Sequence, residues 1–582
     1  MKHNVYMFQI SSFSYVDDYE SKYGDSNQSL YFPYAMGLLK SYVEDKKHLN
    51  TEYTFNDIEI FRKQYDDVLS NLNNPKVVAV SNYIWNGGYH FELLKRIKRE
   101  WPNCITVAGG PSISDNLDWY TDKKFVDVAV LQEGEEVFAD ILNKKDFYNI
   151  PGIIFKEKNK YFKTEKSKRI LDPNSVPSPY LTGVFDKLVK DNKNIGFHAP
   201  IETNRGCPFK CTYCDWGGLT HQKMKMFNID RVKSEVDWCA DNGVSGIILT
   251  DSNLGMFKRD YLIIKHLVES YDKTGFPMYL HTAGFSKTPM TKNWVNPIQK
   301  LMAEMPGKPW AKSHVALQTN SDESLKLIKR KNLGIANSDL LDYKKAKEIF
   351  SVELMFPMPG QNYKTMQEDL DNVMKNPYAL PRLFPVIVLP KSELGSEEYK
   401  KNHQITTVRV PYNFTIDEKI DEINQEYCTL ISSVKNCSEE EVKKSWMYFW
   451  VVMRFWYTSL LKHIVTIMYN LYEIEYKMFF DTFMFWMKIT NGWLNKNFYN
   501  PVFDKIMTSN ISCIPDHHRN NESVKILTDN LDDVYNDVKM FLRDAFSLEK
   551  FEIKLIIEEQ IEIIKKTEIK SNGWTGTGPS LG

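Results

Sequence analysis

Three cysteines fall within one short stretch of this 582-residue chain, and their spacing is typical of a metal centre. Cys207, Cys211 and Cys214 form a C-x3-C-x2-C pattern directly after a predicted strand. Three thiolates on one tight loop can bind three irons of a 4Fe–4S cubane, a cluster that normally takes four thiolates. The next cysteine along the chain, Cys239, is too far away in sequence to belong to the same loop. The pattern therefore predicts a cluster with one iron open to a ligand from outside the chain.

An open iron is what S-adenosylmethionine (SAM) requires, because its methionine amino and carboxylate groups can chelate that iron. An electron from the cluster then breaks the sulfonium C–S bond and starts radical chemistry, while the protein supplies ligands, orientation and exclusion of water. A closed zinc site is the main alternative, although such sites take four ligands in paired spacing. Thiols without any metal are the third interpretation. Three cysteines on one loop favour the cluster over both.

Composition and charge narrow the class of protein further. The 74 Lys and Arg nearly balance the 75 Asp and Glu, so no global electrostatic field favours nucleic acid. The N-terminus, MKHNVYMFQISSF, lacks a signal-peptide pattern, and we find no uncharged apolar stretch of about 18 residues. The other five cysteines are scattered, unlike a disulfide framework. We therefore expect a cytoplasmic protein with neither nucleic acid nor a membrane as its partner.

Residues 1–145 alternate strand and helix patterns, which indicates a parallel, doubly wound (Rossmann-like) α/β domain. Ligands of such sheets bind beyond the carboxyl ends of the strands, where Ser81, Gly109 and Gly110 lie. His90 begins a predicted helix, and we expect it on the helix surface. The predicted strands are Val5–Phe13, Lys76–Ser81, Cys104–Gly109 and Phe125–Leu131, and the predicted helices are Phe32–Lys46, His90–Trp101 and Glu135–Leu142.

The remaining chain divides into four stretches by pattern. Residues 146–198 read as a connector, with a hairpin (GIIFKEKNKYF) and a proline-rich part, Asp172–Tyr180, that should be extended. Residues 199–400 resume the β/α alternation as a partial (β/α)6 barrel, whose chemistry should lie at the strand C-termini. Residues 401–570 read as a helical, aromatic-rich region, with Trp446–Tyr457 as helix core, and 571–582 as a disordered tail. The predicted barrel strands are Ile201–Asn204, Gly246–Asp251, Met278–Thr282, His314–Thr319, Val352–Phe356 and Pro385–Leu389.

On these residues the chain resembles the radical SAM enzymes that carry an N-terminal cobalamin-binding-type domain. The cysteine loop reads ETNRGCPFKCTYCDWGG, a context similar to peptide-modifying and natural-product members. The resemblance extends over residues 1–400 and fades in the helical C-terminal region. It implies a cobalamin-binding-type domain at 1–145 and a radical SAM barrel at 199–400. The other matching stretches are VLQEGEEVF at 130–138, VPSPYLTGVFD at 176–186, LTDSNLGMFKRD at 249–260, LQTNSDESLKLIKRKN at 317–332 and FPMPGQ at 356–361.

The resemblance also implies which residues bind SAM. Asp251 and Asn253, after the second barrel strand, match positions facing its methionine end. Gln318 matches a position that often bonds the ribose, Met355 the adenine-side wall, and Tyr213 the aromatic residue flanking adenine. Three of these residues have a plainer alternative: Asp251 and Asn253 as caps of the following segment, and Gln318 as a satisfied core amide.

Cobalamin is the second cofactor that the resemblance implies. The family's Asp-x-His-x-x-Gly signature is absent, because the first β/α loop, SSFSYVDDYESKYGD, contains no histidine. Any cobalamin would therefore bind without a histidine on its lower face, as in some family members. Ser81, Gly109 and Gly110 would line its pocket, with the glycines permitting close approach of the nucleotide tail. The alternative is that these glycines only make tight turns.

Two functions compete most strongly. One is cobalamin-dependent C-methylation of a peptide or natural product, a small-molecule or peptide substrate, with flavodoxin or ferredoxin as electron donor. The other is a peptide epimerase without cobalamin, in which a thiol from Cys428, Cys437 or Cys513 returns hydrogen. A binding protein with a degenerate site is a third reading, which the intact cysteine triad argues against. A tRNA methylthiotransferase fits poorly, because only Cys104 precedes the loop, where that family has three further cysteines.

Overall fold

The chain, described from a computed structural model, contains two compact units. The first comprises Met1–Ser313, Val388–Tyr399 and Glu418–Cys428, and the second comprises His314–Ile387, Lys400–Asp417 and Thr429–Gly582. The structure describes residues 2–11, 29–170, 172–215, 223–282, 292–303, 314–332, 350–376, 379–412, 425–508 and 522–566. The loop SSFSYVDDYESKYGD, apart from its first residue, and the predicted tail 571–582 lie outside these residues.

The strands account for both predicted sheets and add short ones. They are β1 (His3–Phe8), β2 (Ser29–Tyr31), β3 (Tyr53–Phe55), β4 (Pro75–Ser81), β5 (Ile105–Gly109), β6 (Val128–Val130), β7 (Ile153–Glu157), β8 (Lys160–Lys163), β9 (Gly196–Ile201), β10 (Asn204–Arg205), β11 (Lys225–Met226), β12 (Gly246–Leu249), β13 (Tyr279–Thr282), β14 (His314–Gln318), β15 (Phe350–Phe356), β16 (Ala379–Pro385), β17 (Thr406–Pro411) and β18 (Tyr427–Ser433).

The α-helices follow most strands and dominate the C-terminal region. They are α1 (Tyr34–Ser41), α2 (Tyr65–Ser70), α3 (Gly87–Glu100), α4 (Glu135–Leu142), α5 (Asp186–Asp191), α6 (Ile229–Asp241), α7 (Lys258–Thr274), α8 (Lys292–Ala303), α9 (Asp322–Leu327), α10 (Tyr363–Met374), α11 (Glu397–Asn402), α12 (Glu439–Val452), α13 (Lys462–Tyr472), α14 (Tyr476–Ile489), α15 (Asn500–Thr508), α16 (Glu522–Asp529), α17 (Leu531–Phe546) and α18 (Lys550–Lys566). In the described ranges, no helix is long and apolar enough to cross a bilayer.

The N-terminal part of the first unit is built on a seven-stranded sheet with the order β3-β1-β4-β5-β6-β7-β8. Its first five strands are parallel, and β7 and β8 form the predicted hairpin, which joins the sheet antiparallel. The parallel order is that of a doubly wound sheet, in which ligands bind where the strand order reverses. Here that point lies between β1 and β4. The predicted doubly wound fold is confirmed.

Apolar residues on both faces of this sheet explain why it is covered on both sides. In β4, Val77 and Ala79 belong to one buried cluster, and Val78 and Val80 belong to another. A parallel strand buried on both faces reads as a continuous apolar run, as KVVAVS does. The amphipathic helix α3 covers one of these faces.

The second sheet of the first unit has the order β13-β12-β9-β2, all parallel. Strand β2 is too short for its sequence to reveal. The predicted strand Ile201–Asn204 is wrong beyond Ile201, because Asn204 and Arg205 pair antiparallel with β11 instead. The cause lies in Asp251, whose carboxylate accepts the Thr203 and Asn204 N–H groups and so removes them from the parallel ladder.

Strands β14, β15 and β16 form the three-stranded parallel sheet of the second unit. The predicted strand Pro385–Leu389 is wrong, since the strand is Ala379–Pro385. It contains Pro381 and Pro385, which a central strand would exclude, but β16 is the last strand of its sheet and tolerates missing donors. Five of the six predicted β/α strands thus have a counterpart at the predicted place, and β16 replaces the sixth; all lie in two parallel sheets.

The C-terminal helices bury the aromatic stretch, as predicted. In α12 the side chains of Trp446, Tyr448 and Phe449 are buried, and Trp450 stacks on Phe498 with ring centroids 4.2 Å apart. Strands β17 and β18 both fall in the region 401–570, whose pattern predicted only helix, and β18 is the longer of the two. Its YCTLISS sequence is short, and short apolar runs do not distinguish strand from helix by periodicity alone.

The proline-rich connector contains a turn where we predicted extended chain. Residues Pro173–Ser175 form one 3-10 turn, begun by the Asp172 carboxylate, which accepts the Asn174 N–H at 2.9 Å. Proline at the first helical position favours such a turn, because its φ is already helical. Tyr180 follows in the buried core, and its hydroxyl donates to the Pro200 carbonyl at 2.7 Å. The connector is therefore part of the packed unit.

His90 is buried, which corrects the expectation that it lies on the surface of its helix. Its Nε2 accepts the Ile10 N–H at 3.3 Å, and its Nδ1 lies 3.0 Å from Asn82 Oδ1. The ring must be neutral to accept at Nε2, so Nδ1 carries the proton and donates to Asn82. Burial, with the nearby Arg62 charge, lowers the pKa of His90 to about 3. This histidine joins the ends of β1 and β4.

We expect His90 to make the stability of the protein depend on pH. The unfolded chain binds a proton near the ordinary histidine pKa of 6.5, whereas the folded chain does so only near pH 3. The free energy of unfolding should therefore fall as pH decreases through this window, by at most about 1.4 kcal/mol per pH unit from this group. His90→Gln should reduce that slope in urea unfolding measured at several pH values. An identical slope in both proteins would contradict the assignment.

Candidate active site

The three cysteines lie on the loop that follows β9, at the carboxyl end of the second sheet of the first unit. Cys207 is buried, and Cys211 and Cys214 are partly exposed. The Cys214 N–H donates to the Cys211 carbonyl at 3.1 Å and closes a tight turn between them. Gly206, with φ +114, is the residue that turns the chain into the loop. Among described residues, no three His, Cys, Asp or Glu side chains are grouped as around a single metal ion.

Asp251, which follows β12, forms hydrogen bonds with the residues that lead into this loop. Asp251 accepts from Thr203 N at 2.9 Å, from Thr203 Oγ1 at 2.6 Å and from Asn204 N at 3.0 Å. Burial nevertheless raises the pKa of Asp251 to about 7, against the lowering effect of these donors. The carboxylate therefore fixes the backbone that leads into the cysteines. Its predicted contact with SAM stays a prediction.

Asn253 lies against the first cysteine. Its Nδ2 donates to Cys207 Sγ at 3.4 Å and to Ser252 Oγ at 3.0 Å. Ser252 Oγ in turn donates to the Gly206 carbonyl at 2.8 Å. An N–H aimed at a cysteine sulfur stabilises a thiolate, the form in which cysteine ligates iron. The predicted contact of Asn253 with SAM also stays a prediction.

Arg205, which the sequence did not single out, anchors the loop to the N-terminal sheet. Its guanidinium is buried and lies 2.8 Å from Glu135, 2.9 Å from Glu202 and 3.6 Å from Glu133. Glu133 and Glu135 belong to VLQEGEEVF, and Arg205 belongs to ETNRGCPFKCTYC. The two stretches that carried the family resemblance thus meet in an ion-pair network. A fixed, planar fork of donors suits such multiple carboxylate contacts.

Tyr213 and Asp215 complete the described part of the loop. Tyr213 is partly buried between the last two cysteines, and its contact with adenine stays a prediction. The Asp215 carboxyl, one residue beyond Cys214, has a buried Oδ1 without a hydrogen-bond partner among the described residues. Burial raises the pKa of Asp215 to about 6. Such a group at a cysteine loop is available to a ligand.

The carboxyl end of the N-terminal sheet distinguishes the two predicted glycines. A Cβ on Gly110 (φ +99) would lie 2.5 Å from the Asn82 carbonyl, so packing alone requires this glycine. Within the described part of the chain, a Cβ on Gly109 would meet only Val130, at 3.8 Å. Ser81 is buried, and the Asn82 Nδ2 beside it is buried without a partner among the described residues. Space at Gly109 and an unpaired donor at Asn82 are compatible with a ligand.

In the second unit, Gln318 is held in a strained position at the end of β14. Its φ of +69 lies in the region that favours glycine, and its Oε1 is buried without a partner among the described residues. The Asp369 carboxylate accepts from Thr319 Oγ1 at 2.7 Å and from Asn320 N at 2.6 Å, which fixes the chain just beyond it. Among the described residues nothing satisfies the Gln318 amide oxygen, so they lend no support to its interpretation as a satisfied core amide. Strain of this kind is concentrated at functional sites.

Met355 lies in the middle strand of the same sheet. Its neighbours Leu354 and Phe356 are fully buried, so Met355 faces the opposite side of β15, where it is partly exposed. Its predicted place on the adenine side stays a prediction.

Comparisons with known proteins agree with this geometry. The family described as the Radical SAM superfamily matches residues 201–373. The cobalamin-dependent radical SAM methyltransferase TokK of Streptomyces tokunonensis is 27% identical over 66% of this chain and 57% of its own length. The 2-(S-pantetheinyl)-carbapenam-3-carboxylate methyltransferase of Streptantibioticus cattleyicolor is 26% identical over 65% of this chain and 56% of its own. The chain thus spans less than two thirds of each of these relatives.

Solved structures share the fold. The cobalamin-dependent SAM radical enzyme OxsB, with aqua-cobalamin and SAM bound, is similar with a TM-score of 0.54 at 13% identity, covering 98% of this chain and 84% of OxsB. TsrM from Kitasatospora setae, with cobalamin and a 4Fe–4S cluster bound, gives a TM-score of 0.52 at 14% identity, covering 77% and 89%. The predicted family resemblance and fold class are confirmed. Residues 201–373 of this chain are a domain of the radical SAM superfamily.

Proposed function

We propose that this protein is a cobalamin-dependent radical SAM methyltransferase that methylates carbon in a peptide or natural product. One observation carries the proposal: the cysteine loop is fixed, through Arg205, beside the carboxyl end of a doubly wound sheet. When bound at these places, a 4Fe–4S cluster and SAM supply a 5′-deoxyadenosyl radical, and cobalamin supplies the methyl group. A cytosolic one-electron donor of the flavodoxin or ferredoxin class would reduce the cluster.

The donor sets of this chain fit these cofactors. Cys207, Cys211 and Cys214 supply three thiolates, and Asn253 donates to the sulfur of the first. Gln318 offers a buried amide oxygen that accepts no hydrogen bond among the described residues, which suits a ribose hydroxyl. The opening at Gly109 lets a nucleotide tail approach the sheet closely.

The comparisons favour methylation over epimerisation. Both relatives described above are named as methyltransferases. The thiols that an epimerase would need are poorly placed to reach a substrate, because Cys428 and Cys437 are both buried. Cys513 lies outside the described residues. The doubly wound sheet is an element that epimerisation does not require.

The cysteine assignment predicts three equivalent losses. Cys207→Ala, Cys211→Ala and Cys214→Ala should each remove the broad iron–sulfur absorbance of anaerobically reconstituted protein and abolish formation of 5′-deoxyadenosine. Cys239→Ala is the matched control, because Cys239 is a core thiol in α6 that should leave the iron content unchanged. Wild-type iron and 5′-deoxyadenosine in all three loop variants would overturn the assignment.

Gln318→Gly should change stability and SAM binding in opposite directions. Glycine relieves the positive φ, which should stabilise the apoprotein by about 1 kcal/mol in urea unfolding. Loss of the amide should weaken SAM binding about 2- to 12-fold, as expected for one hydrogen bond, in equilibrium titration. Lys329→Gly, at φ +53 on an exposed residue, is the control that should share only the stabilisation. Unchanged SAM affinity of Gln318→Gly would show that Gln318 does not contact SAM.

Methylation itself is tested by cofactor content and product balance. The holoprotein should contain about one cobalamin per chain, and turnover should form S-adenosylhomocysteine and 5′-deoxyadenosine in about equal amounts. Gly109→Val should lower the cobalamin content while the fold persists, because among the described residues a Cβ at Gly109 makes only an ordinary contact with Val130, at 3.8 Å. Full turnover in protein free of cobalamin, with solvent deuterium in the product and no S-adenosylhomocysteine, would replace this proposal with the epimerase.

A further inference from the structure

One segment from the C-terminal half of the sequence returns to the first unit. Val388–Tyr399, which we call the 388–399 segment, follows the sheet of the second unit in sequence but is assigned to the first unit. Within it, Glu393–Gly395 forms a short 3-10 turn, and the Ser392 hydroxyl accepts the Gly395 N–H at 3.1 Å. The same hydroxyl donates to the Leu389 carbonyl at 2.8 Å. The segment is thus internally braced.

One side of the 388–399 segment is hydrogen-bonded to the N-terminal sheet. Lys391 Nζ donates to the Gly110 carbonyl and to the Leu131 carbonyl, each at 3.0 Å. These carbonyls directly follow β5 and β6, so one ammonium ties together the ends of two neighbouring strands.

The other side of the 388–399 segment is hydrogen-bonded to the cysteine loop. The Leu394 N–H donates to the Thr212 carbonyl at 2.8 Å, and Thr212 Oγ1 lies 3.3 Å from the Tyr399 hydroxyl. Leu394 is in the first turn of the short helix, where backbone N–H groups have no partner inside the helix. Thr212 stands between the second and third cysteines. The segment therefore contacts the loop at the point where it carries its ligands.

We propose that the 388–399 segment sets the spacing between the cluster loop and the carboxyl end of the doubly wound sheet, with Lys391 as a positioning residue. This inference rests on the proposed function, in which those two places hold the cluster and cobalamin. A methyl group and a radical must reach the same substrate carbon, so the separation of the two cofactors limits the reaction. Lysine suits the task because a single ammonium can satisfy several carbonyls at once.

The chain offers a closely matched control in Lys98. Its Nζ also donates to two backbone carbonyls, of Pro102 at 2.8 Å and Cys104 at 2.9 Å, and to Asp127 at 2.8 Å. These groups lie at the amino ends of β5 and β6, the opposite side of the sheet from Lys391. Lys98→Met and Lys391→Met thus each remove two ammonium–carbonyl bonds, from opposite ends of the same strands, and Lys98→Met also removes the ion pair with Asp127. Lys391→Gln, which keeps neutral N–H donors, replaces Lys391→Met if the latter does not accumulate as folded protein.

The first measurement is hydrogen exchange by mass spectrometry, on wild type and variants carrying the reconstituted cluster. Lys391→Met should speed exchange about tenfold in peptides spanning 108–113 and also in those spanning 207–215, which the segment contacts through Leu394 and Thr212. Lys98→Met should speed neither set. Faster exchange at 108–113 alone, or equal effects of both variants on 207–215, would overturn the inference. This measurement needs no cobalamin, so it stands even if the proposed function fails.

The second measurement is electron paramagnetic resonance of protein holding cob(II)alamin and the reduced cluster. In wild type, the cluster should speed relaxation of the cobalt spin, and Lys391→Met should weaken this effect while both cofactor contents stay unchanged. S-adenosylhomocysteine and 5′-deoxyadenosine should then no longer form in equal amounts. Wild-type spin relaxation and product balance in Lys391→Met would overturn the positioning role. Wild-type protein that binds no cobalamin would instead contradict the proposed function.

Discussion

The buried guanidinium of Arg205 is the interaction on which the arrangement of the first unit depends. Removing a cation and several carboxylates from water is costly, and good geometry is needed to offset that cost. Arg205 has it, with Glu202, Glu133 and Glu135 all within 3.6 Å. Hydrophobic side chains could fill the same space, but they would not fix one register. The network specifies how the cysteine loop lies on the N-terminal sheet.

With the cysteine loop held in this position, the residues that follow β12 can form hydrogen bonds with it. Asp251 uses its carboxylate on the backbone of Thr203 and Asn204, and so ends the parallel ladder where the loop must begin. The cysteines can therefore leave the sheet at once. Asn253 then reaches the first cysteine sulfur. Catalytic geometry depends on such support from neighbouring side chains, because ligands on an unsupported loop would not keep a fixed position.

Local patterns were enough to predict the cysteine loop, the doubly wound sheet and the buried aromatic stretch of α12. They were not enough for contacts between residues far apart in sequence. The N-terminus of α3 is capped by Glu426, whose carboxylate accepts the Gly88 and Tyr89 N–H groups and pairs with Arg62. Nothing near Gly88 in sequence indicates this cap. The position of His90 could not be predicted for the same reason, since its partner Ile10, just beyond β1, is far from it in sequence.

Strands β10 and β16 show a second limit on prediction from sequence, which concerns the hydrogen-bonding needs of the backbone and not the order of the strands. The residues next to Asn204 in sequence are typical of a strand, yet the Asn204 N–H donates to the carboxylate of Asp251, which follows β12. Pro381 argues against a strand in sequence, yet the position of β16 at the end of its sheet accommodates it. In both cases, whether the segment joins a sheet as predicted depends on which of its backbone N–H groups must donate to a neighbouring strand. That requirement is set by the neighbouring strands and cannot be seen in the segment's own sequence.

Unpaired polar atoms give the complementary information, because they mark what the fold leaves unfinished. A buried donor or acceptor without a partner costs about 1–3 kcal/mol. Four atoms that have no partner among the described residues, in Asn82, Asn204, Asp215 and Gln318, lie on segments that follow or end parallel strands. Each of these segments is also braced by hydrogen bonds from neighbouring residues, so rearrangement would not easily satisfy the atoms. Polar ligands at these strand ends would satisfy them, and the folded chain tolerates the cost because the same strand ends form its proposed cofactor sites.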